Sequence, residues 1–332
     1  MRTGSFVNEV VVVDVGGTNA RFALARRGRD GQIDLGDPTT LATVEHATFK
    51  SAWDEYRAQQ NGRVPGAVAI AVAGPVGGEI IRFTNNPWII RPALIAEKLG
   101  ADRHTIVNDF EAVAHAVACL PTDRFQHLTG PDQPFAAQGT ISVLGPGTGL
   151  GVAHLWRSGK GDYHVQATEG GHIDFAPLDQ IEDAILARLR KRHNRVSVER
   201  VVAGPAISDI YQTLAALEGR AIVEEDDVAI WQAGMTGSNG LAAAAVDRFC
   251  LSLGSVAGDI ALAQGGFAGV AIAGGLGFRL RDQLLKSGFA ERFRAKGRFE
   301  HLMRSIPVKV VTHPQPGLYG AAAAFFRQHG DG

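Results

Sequence analysis

Residues 10–21 read VVVVDVGGTNAR, an apolar run that ends in an acidic, glycine-rich segment, and a second apolar run follows at residues 22–25. Because consecutive β-branched residues favour a buried strand, the pattern predicts a strand, a tight turn and a returning strand. The turn carries the Asp14 carboxylate, two glycines and the Thr18 hydroxyl. Glycines let N–H groups approach phosphate oxygens and a carboxylate can hold Mg²⁺ or its water, so the turn suits a metal-bound polyphosphate. An ordinary β-hairpin has the same composition.

A second glycine-rich turn lies in the middle of the chain. The apolar residues 141–144 enter the segment GPGTGLG at residues 145–151, and VAHL leaves it at residues 152–155. Two such hairpins could clamp one polyphosphate, since each supplies glycine N–H groups and a threonine hydroxyl. The sequence contains neither the GxxxxGK[ST] phosphate loop nor a GxGxxG dinucleotide motif, so these other nucleotide sites have no support.

The composition is that of a globular chain without a strongly charged surface. The 332 residues suffice for two domains, and 33 basic against 34 acidic residues give a formal net charge of −1. We therefore expect neither a nucleic-acid partner nor a membrane partner. Cys119 and Cys250 lie apart in apolar segments, and we expect both thiols to be buried. No segment approaches the roughly 20 apolar residues of a transmembrane helix, and the N-terminal valine run is too short for a signal peptide, so the expected location is the cytoplasm.

Strands and helices alternate along both halves of the chain, which predicts α/β units with helices packed on sheets. A strand at residues 105–107 runs into Asn108 and Asp109, where a helix begins. From its position alone, Asp109 suits either a helix cap or a catalytic carboxylate.

Two further segments have the composition of ligand-contacting loops. The loop TNNPW at residues 84–88 suits a small polar ligand, and equally an Asx turn before proline. An apolar strand at residues 269–273 ends in Gly274 and Gly275, where a larger side chain would block an approaching base or ribose.

Six ordered blocks resemble the bacterial glucokinases, within the hexokinase, actin and Hsp70-like ATPase superfamily, nearly from end to end. They are DVGGTNAR at 14–21, NDF at 108–110, GTGLGVAH at 147–154, EGGHIDFAP at 169–177, SVERV at 197–201 and IAGG at 272–275. The resemblance implies an α/β, two-lobed actin-like ATPase (ribonuclease H-like) fold with a ligand cleft between the lobes. It implies a small domain of residues 1–112 completed by a C-terminal helix at 317–332, and a large domain of residues 113–316.

The same resemblance implies ATP-dependent phosphorylation of glucose at O6, with Asp109 as the general base and ATP and Mg²⁺ as cofactors. The residues implied in sugar binding are Asn85, Asn108, Asp109, Glu169, His172 and Glu199. Those implied in ATP binding are Asp14, Gly16, Gly17, Thr18, Asn19, Gly147, Thr148, Gly149, Gly274 and Gly275. Asp14 would orient Mg²⁺ through water, and the assembly would be a homodimer.

Without the resemblance, single residues of this set have simpler explanations. Glu199 alone is typical of a solvated helix glutamate. Glu169 and His172 have the spacing of half a metal site, although the glycines between them argue against a ligand-bearing helix.

Several alternative functions fit parts of the pattern. A kinase for mannose or fructose, or one that uses polyphosphate, would need the same carboxylates and amides. A non-catalytic sugar sensor would need a DNA-binding domain, yet few residues precede the first strand and the net charge gives no basic patch. In a chaperone-like or cytoskeletal ATPase, no function would be assigned to Glu169, His172 and Glu199.

Overall fold

Strands and helices alternate through the residues that the computed structural model describes, which are 8–83, 86–221 and 225–330. The strands within these ranges are β1 (Glu9–Val15), β2 (Asn19–Arg27), β3 (Ile33–Leu35), β4 (Thr39–Ala42), β5 (Ala67–Val72), β6 (Ile81–Arg82), β7 (Ile89–Ile90), β8 (Arg103–Asn108), β9 (Phe125–Thr129), β10 (Gln138–Pro146), β11 (Leu150–Ser158), β12 (Tyr163–Thr168), β13 (Gly269–Ile272) and β14 (Val308–Val311).

The α-helices of the same residues range from five residues to 25. They are α1 (Phe49–Gln59), α2 (Ile95–Leu99), α3 (Asp109–Cys119), α4 (Gln180–Arg190), α5 (Ala206–Leu217), α6 (Asp227–Thr236), α7 (Gly240–Gln264), α8 (Gly274–Arg279), α9 (Arg281–Lys286), α10 (Phe289–Arg294), α11 (Glu300–Arg304) and α12 (Pro316–His329).

The contacts divide the chain into a first unit, Met1–Leu120 with Gln315–Gly332, and a second unit, Pro121–Pro314. The boundary expected from the sequence, after residue 112, falls inside α3, whereas the contacts group the whole of α3 with the first unit. The reason is close packing of α3 on α12. A Cβ added at Gly320 of α12 would overlap the backbone of Ala112, so the two helices touch with almost no side chain between them.

The sheet of the first unit has the strand order β3-β2-β1-β5-β8, and β4 also pairs with β2. β1 is antiparallel to β2 and parallel to β5, which is parallel to β8. Side chains alternate along β1: Val11 and Val13 belong to the same core cluster as Trp53 of α1, whereas Val10 and Val12 belong to that of Phe325 in α12. Both faces of β1 are therefore covered, which explains why its apolar run is uninterrupted.

The sheet of the second unit has the order β12-β11-β10-β13-β14-β9. Helices α4, α5 and α7 contribute to the core cluster beside it. The expectation that no segment approaches the length of a membrane span was wrong, because α7 is long and apolar enough by length and composition. However, 67% of its most apolar window is buried inside the unit, as is typical of a core helix.

Five neighbouring strands have the same arrangement in the two sheets. The orders are β3-β2-β1-β5-β8 and β12-β11-β10-β13-β14. In each, the central strand, β1 or β10, forms an antiparallel hairpin with the strand on one side of it. The two strands on its other side are parallel to it. The hairpins β1–β2 and β10–β11 thus occupy equivalent places, and each contains one of the two glycine turns. This confirms the prediction of strand, tight turn and strand at both turns.

The two cysteines differ in environment. Cys250 is buried in α7, and burial, with a smaller contribution from Asp247, raises the pKa of its thiol to about 12. Cys119 is exposed, so the expectation of two buried thiols was wrong for this residue. It is the last residue of α3, where the apolar face is formed by Val117 and Leu120 instead.

Candidate active site

The first glycine turn closes the β1–β2 hairpin. The Gly16 N–H donates to the carbonyl of Asn19 at 2.9 Å, which leaves Gly17 and Thr18 at the tip. Asn19 Nδ2 donates to Thr18 Oγ1 at 3.1 Å and so orients the hydroxyl. Within the described residues, the N–H groups of Gly17 and Thr18 donate to no acceptor. The tip therefore has two N–H groups and a hydroxyl available for an anionic ligand.

Asp14 lies on β1 just before this turn, with Arg21 opposite it on β2 at 3.7 Å. Burial raises the pKa of the Asp14 carboxyl, and the positive charge of Arg21 acts in the opposite direction. Gly317, at the start of α12, leaves room for the carboxylate, since a Cβ there would lie 3.2 Å from Asp14 Oδ2. A half-buried, incompletely compensated carboxylate is a suitable partner for a hydrated cation.

Three strand ends place further predicted residues at the same edge of the sheet. Val15 of β1 pairs with Val72 of β5, and Val72 pairs with Asn108 of β8. Because these strands are parallel, the first turn and the segment Asn108-Asp109 lie at the same edge, two strands apart. The first unit therefore places Asp14, the first turn and Asp109 at one edge of its sheet.

Asn108, rather than Asp109, caps helix α3. Asn108 Oδ1 accepts from the N–H groups of Phe110 at 2.9 Å and Glu111 at 3.2 Å, and its Nδ2 donates to the Gly74 carbonyl at 3.1 Å. Asp109 is the first residue of the helix, and its Oδ1 accepts from the Phe110 N–H at 2.9 Å. Since Asn108 supplies the cap, capping does not account for Asp109. The positive end of the helix dipole favours an ionised carboxylate at this position.

The polar loop after β6 is an Asx turn. Asn86 Oδ1 accepts from the Trp88 N–H at 2.9 Å, which confirms one of the two interpretations of residues 84–88. Asn85, the residue predicted to contact the sugar, lies outside the described residues.

The second glycine turn closes the β10–β11 hairpin. The Gly147 N–H donates to the Gly149 carbonyl at 2.8 Å and leaves Thr148 at the tip, while the Gly204 N–H holds the Gly147 carbonyl at 2.7 Å. Gly274 begins α8 with a φ of +81°, and a Cβ there would lie 3.3 Å from the carbonyl oxygen of Pro146. The predicted ATP-binding segments at residues 147–149 and 274–275 are therefore neighbours in the second unit.

Glu199 lies directly against this second turn. It sits in the short 3₁₀ helix Val198–Arg200, and its Oε2 accepts from the Leu150 N–H at 2.9 Å. A Cβ added at Gly149 would lie only 2.5 Å from Oε2. The simpler explanation of Glu199 as a solvated helix glutamate was therefore wrong.

Glu169 precedes and His172 ends the 3₁₀ helix Gly170–His172, which packs on β11 with Gly171 against the carbonyl of Leu150. Their side chains are 80% and 56% exposed, with Oε2 and Nε2 3.9 Å apart, so both polar ends are accessible to a ligand. Leu150 thus contacts Glu199 through its N–H and the Glu169-His172 segment through its carbonyl. No group of three His, Cys, Asp or Glu side chains in the described part of the chain could hold a metal by itself.

Several residues beside the candidate site carry no recognisable signal in the sequence. Arg195 donates to the His172 carbonyl at 2.6 Å and pairs with Asp174 at 2.6 Å, which holds the segment after His172 in place. A cavity of about 430 Å³ opens beside Thr148 and Glu199, and its wall includes Arg192, Arg200 and Ser208. These residues belong to no glycine-rich motif, so the sequence offered no signal for them.

Comparisons with known proteins show the family of this chain. Residues 11–329 match the family model described as Glucokinase. The glucokinase of Zymomonas mobilis is 52% identical over 323 residues, which are 97% of this chain and 99% of that protein. A crystal structure of glucokinase from an Antarctic psychrotroph has a TM-score of 0.85 and 32% identity, over 97% of this chain and 99% of that one.

A more distant structure shares the fold. The ROK family glucokinase from Streptomyces griseus, in complex with glucose and AMPPNP, has a TM-score of 0.63 at 18% identity, over 96% of this chain and 99% of that one. These likenesses confirm the two-domain α/β fold class of the actin-like ATPases. The matching family model, the near full-length relative and the residues gathered around both glycine turns lead to one conclusion: the chain belongs to the glucokinase family.

Proposed function

We propose that this protein transfers the γ-phosphoryl group of ATP to O6 of glucose, giving glucose 6-phosphate and ADP. Membership of the glucokinase family supports the proposal. The observation that carries it is the contact of Glu199 with the second glycine turn. A carboxylate suited to sugar hydroxyls lies beside a turn suited to phosphate, which is the combination a sugar kinase requires.

Asp109 is proposed as the general base. It would accept the proton of the sugar O6 hydroxyl as that oxygen attacks the γ-phosphorus and the bond to the β-phosphate oxygen breaks. Its place at the N-terminus of α3 supports this role, because the helix dipole favours the ionised form and Asn108 already supplies the cap. Phosphoryl transfer depends mainly on positioning and charge neutralisation, so the base is expected to contribute only about 10²- to 10⁴-fold.

The remaining sugar contacts are assigned to side chains at the ends of strands and short helices. Glu169, His172 and Glu199 in the second unit and Asn108 in the first would hold the hydroxyls. The Asn108 side chain is already held by Gly74 and the start of α3, so it would meet the sugar in a fixed orientation. Asn85 remains a proposed contact from the sequence alone.

The phosphates of ATP are assigned to the two turns, with contacts from Gly16, Gly17, Thr18, Asn19 and, in the second unit, Gly147, Thr148 and Gly149. The N–H groups at the first tip, which donate to no acceptor among the residues that the structure describes, and the two threonine hydroxyls fit phosphate oxygens. The cavity beside Thr148, with its arginines, and the neighbouring Gly274-Gly275 turn are proposed to take the rest of the nucleotide.

Asp14 is proposed to orient Mg²⁺ through a bound water. The residues present fit this ion, because a half-buried carboxylate whose pKa is raised by desolvation would be stabilised in its ionised form by a nearby cation. When bound with ATP, Mg²⁺ would neutralise charge on the phosphate oxygens. The family resemblance further suggests a cytoplasmic homodimer.

The test is a panel of sugars and phosphoryl donors with product identification. Purified protein is incubated with glucose, mannose or fructose and with MgATP or polyphosphate, and the products are identified by ³¹P NMR. The proposal predicts that glucose with MgATP gives the highest kcat/KM and that the product is glucose 6-phosphate. Higher kcat/KM for another hexose or for polyphosphate would reassign the substrate, and sugar binding without turnover would indicate a sensor.

A further inference from the structure

Three consecutive carbonyl groups of the first glycine turn accept hydrogen bonds from two residues, Thr43 and Asn86. The Gly16 carbonyl accepts from Asn86 Nδ2 at 3.3 Å, and the Gly17 carbonyl accepts from Thr43 Oγ1 at 2.9 Å. The Thr18 carbonyl accepts from the Thr43 N–H at 2.9 Å. One side of the turn is therefore held by a hydrogen bond at each of these three residues.

Holding these carbonyls also fixes the direction of the N–H groups. In a trans peptide unit the C=O and the following N–H point in opposite directions, and the described residues contain no cis peptide bond. Asn86 holds the Gly16 carbonyl, so the next N–H, that of Gly17, points away from Asn86. Thr43 holds the Gly17 carbonyl, so the Thr18 N–H points away from Thr43. These are the two N–H groups that donate to no acceptor within the described part of the chain.

The two holding side chains are themselves fixed. Thr43 is 4% exposed and Asn86 is 6% exposed. Asn86 Oδ1 accepts from the Trp88 N–H, and the buried Trp88 indole donates from Nε1 to the His46 carbonyl at 2.7 Å. His46 is the C-cap of the 3₁₀ helix Thr43–Glu45. The Trp88 indole thus connects the segment that contains Asn86 with the segment that contains Thr43, and both segments contact the first glycine turn.

We propose that Thr43 and Asn86 are positioning residues that aim the Gly17 and Thr18 N–H groups at the phosphates of the nucleotide. The inference rests on the proposed function and deepens it. Preorganised N–H donors bind an anion without the cost of reorienting the backbone, whereas a turn with unheld carbonyls must first be ordered. Thr43 and Asn86 therefore act on phosphate recognition and not on the nucleoside or the sugar.

The test compares Thr43→Val, which keeps the shape and removes the hydroxyl donor, with Thr43→Ser, which keeps the donor. Thr40→Val, at an exposed threonine of β4, is the matched control. Calorimetry measures the Kd of MgADP, of adenosine and of glucose for each variant, and thermal unfolding measures the Tm. We expect Thr43→Val to weaken MgADP binding roughly tenfold with adenosine and glucose affinity unchanged, and Thr43→Ser to restore most of the loss.

Asn86→Asp provides a second variant, because it removes the amide donor to Gly16 and keeps the acceptor for Trp88. It should show the same selective loss of MgADP affinity. Equal MgADP affinity in Thr43→Val and the wild type would overturn the proposal, as would parallel losses of MgADP, adenosine and Tm in both variants. If the wild type itself fails to phosphorylate glucose with MgATP, the proposed function fails, which is a separate outcome.

Discussion

The Leu150 N–H donates to the Glu199 carboxylate at 2.9 Å, immediately after the tip of the second glycine turn. This bond connects the sugar-binding and phosphate-binding halves of the proposed site within one unit. A displacement of Glu199 should therefore affect both substrates.

Gly149→Ala tests this connection. Its Cβ would lie 2.5 Å from Glu199 Oε2 and would force the carboxylate away from Leu150. We expect the KM values for glucose and for MgATP each to rise roughly tenfold, the effect of losing a charged hydrogen bond. Gly77→Ala is the control, since a Cβ at Gly77 meets no atom within 4 Å. Steady-state kinetics in which only the MgATP KM changes would contradict the connection.

Asp109→Asn tests the general base. The amide keeps the shape of the side chain and cannot accept the proton, so kcat should fall about 10²- to 10⁴-fold while glucose affinity stays within a few fold. Tryptophan fluorescence titration gives the affinity, and Asp123→Asn, in the short 3₁₀ helix Thr122–Arg124, is the control. A kcat close to that of the wild type would remove Asp109 from the proton transfer.

Asp14→Asn should stabilise the protein in the absence of ligands at neutral pH. Burial raises the pKa of the Asp14 carboxyl above its ordinary value of 3.8. The protonated carboxyl therefore contributes fully to the free energy of unfolding below pH 3.8, and this contribution is lost as the pH rises through the raised pKa. At about pH 7 the neutral amide removes the cost of burying a charge, and the Tm should exceed that of the wild type.

The same variant separates stability from catalysis. Below about pH 4 the two proteins should melt alike, because the wild-type carboxyl is then also neutral. Turnover with MgATP should fall although the Tm rises. A lower Tm than the wild type at neutral pH would show that the ionised carboxylate is stabilising, against this prediction.

Arg248→Met should destabilise the second unit. Arg248 and Arg292 each lie 3.8 Å from the carboxylate of Glu182, which is 1% exposed, and both also pair with Asp179. Loss of one arginine leaves a buried charge only partly compensated, at a cost of about 3 kcal/mol in the free energy of unfolding by urea. Adding Glu182→Gln to Arg248→Met should recover part of the lost free energy of unfolding. A change of less than about 0.5 kcal/mol would show that the network is well solvated.

Much of the fold could be predicted because local patterns determine it. The apolar run of β1 is covered on both faces, and the glycine turns close hairpins whose partners lie next to them in sequence. Helix α7 passes the length and composition test for a membrane span, and only its burial inside the second unit, a three-dimensional property, identifies it as typical of a core helix.

The sequence offers candidate site residues where a motif contains the chemistry. Asp14, Asp109 and Thr148 each lie at a strand end or turn that the sequence marks with glycine or a polar run. The contacts of Thr43 and Asn86 with the first turn could not be predicted, because they join residues that lie 26 and 70 positions apart in the sequence. The exposure of Cys119 could not be predicted either, because it depends on which side of α3 faces the core.

The most direct measurement is the rate of ADP release from MgATP by the purified protein, with and without glucose. The account predicts rapid ADP release that requires glucose and forms glucose 6-phosphate one for one. ADP release that is absent, or that is independent of glucose, would contradict it.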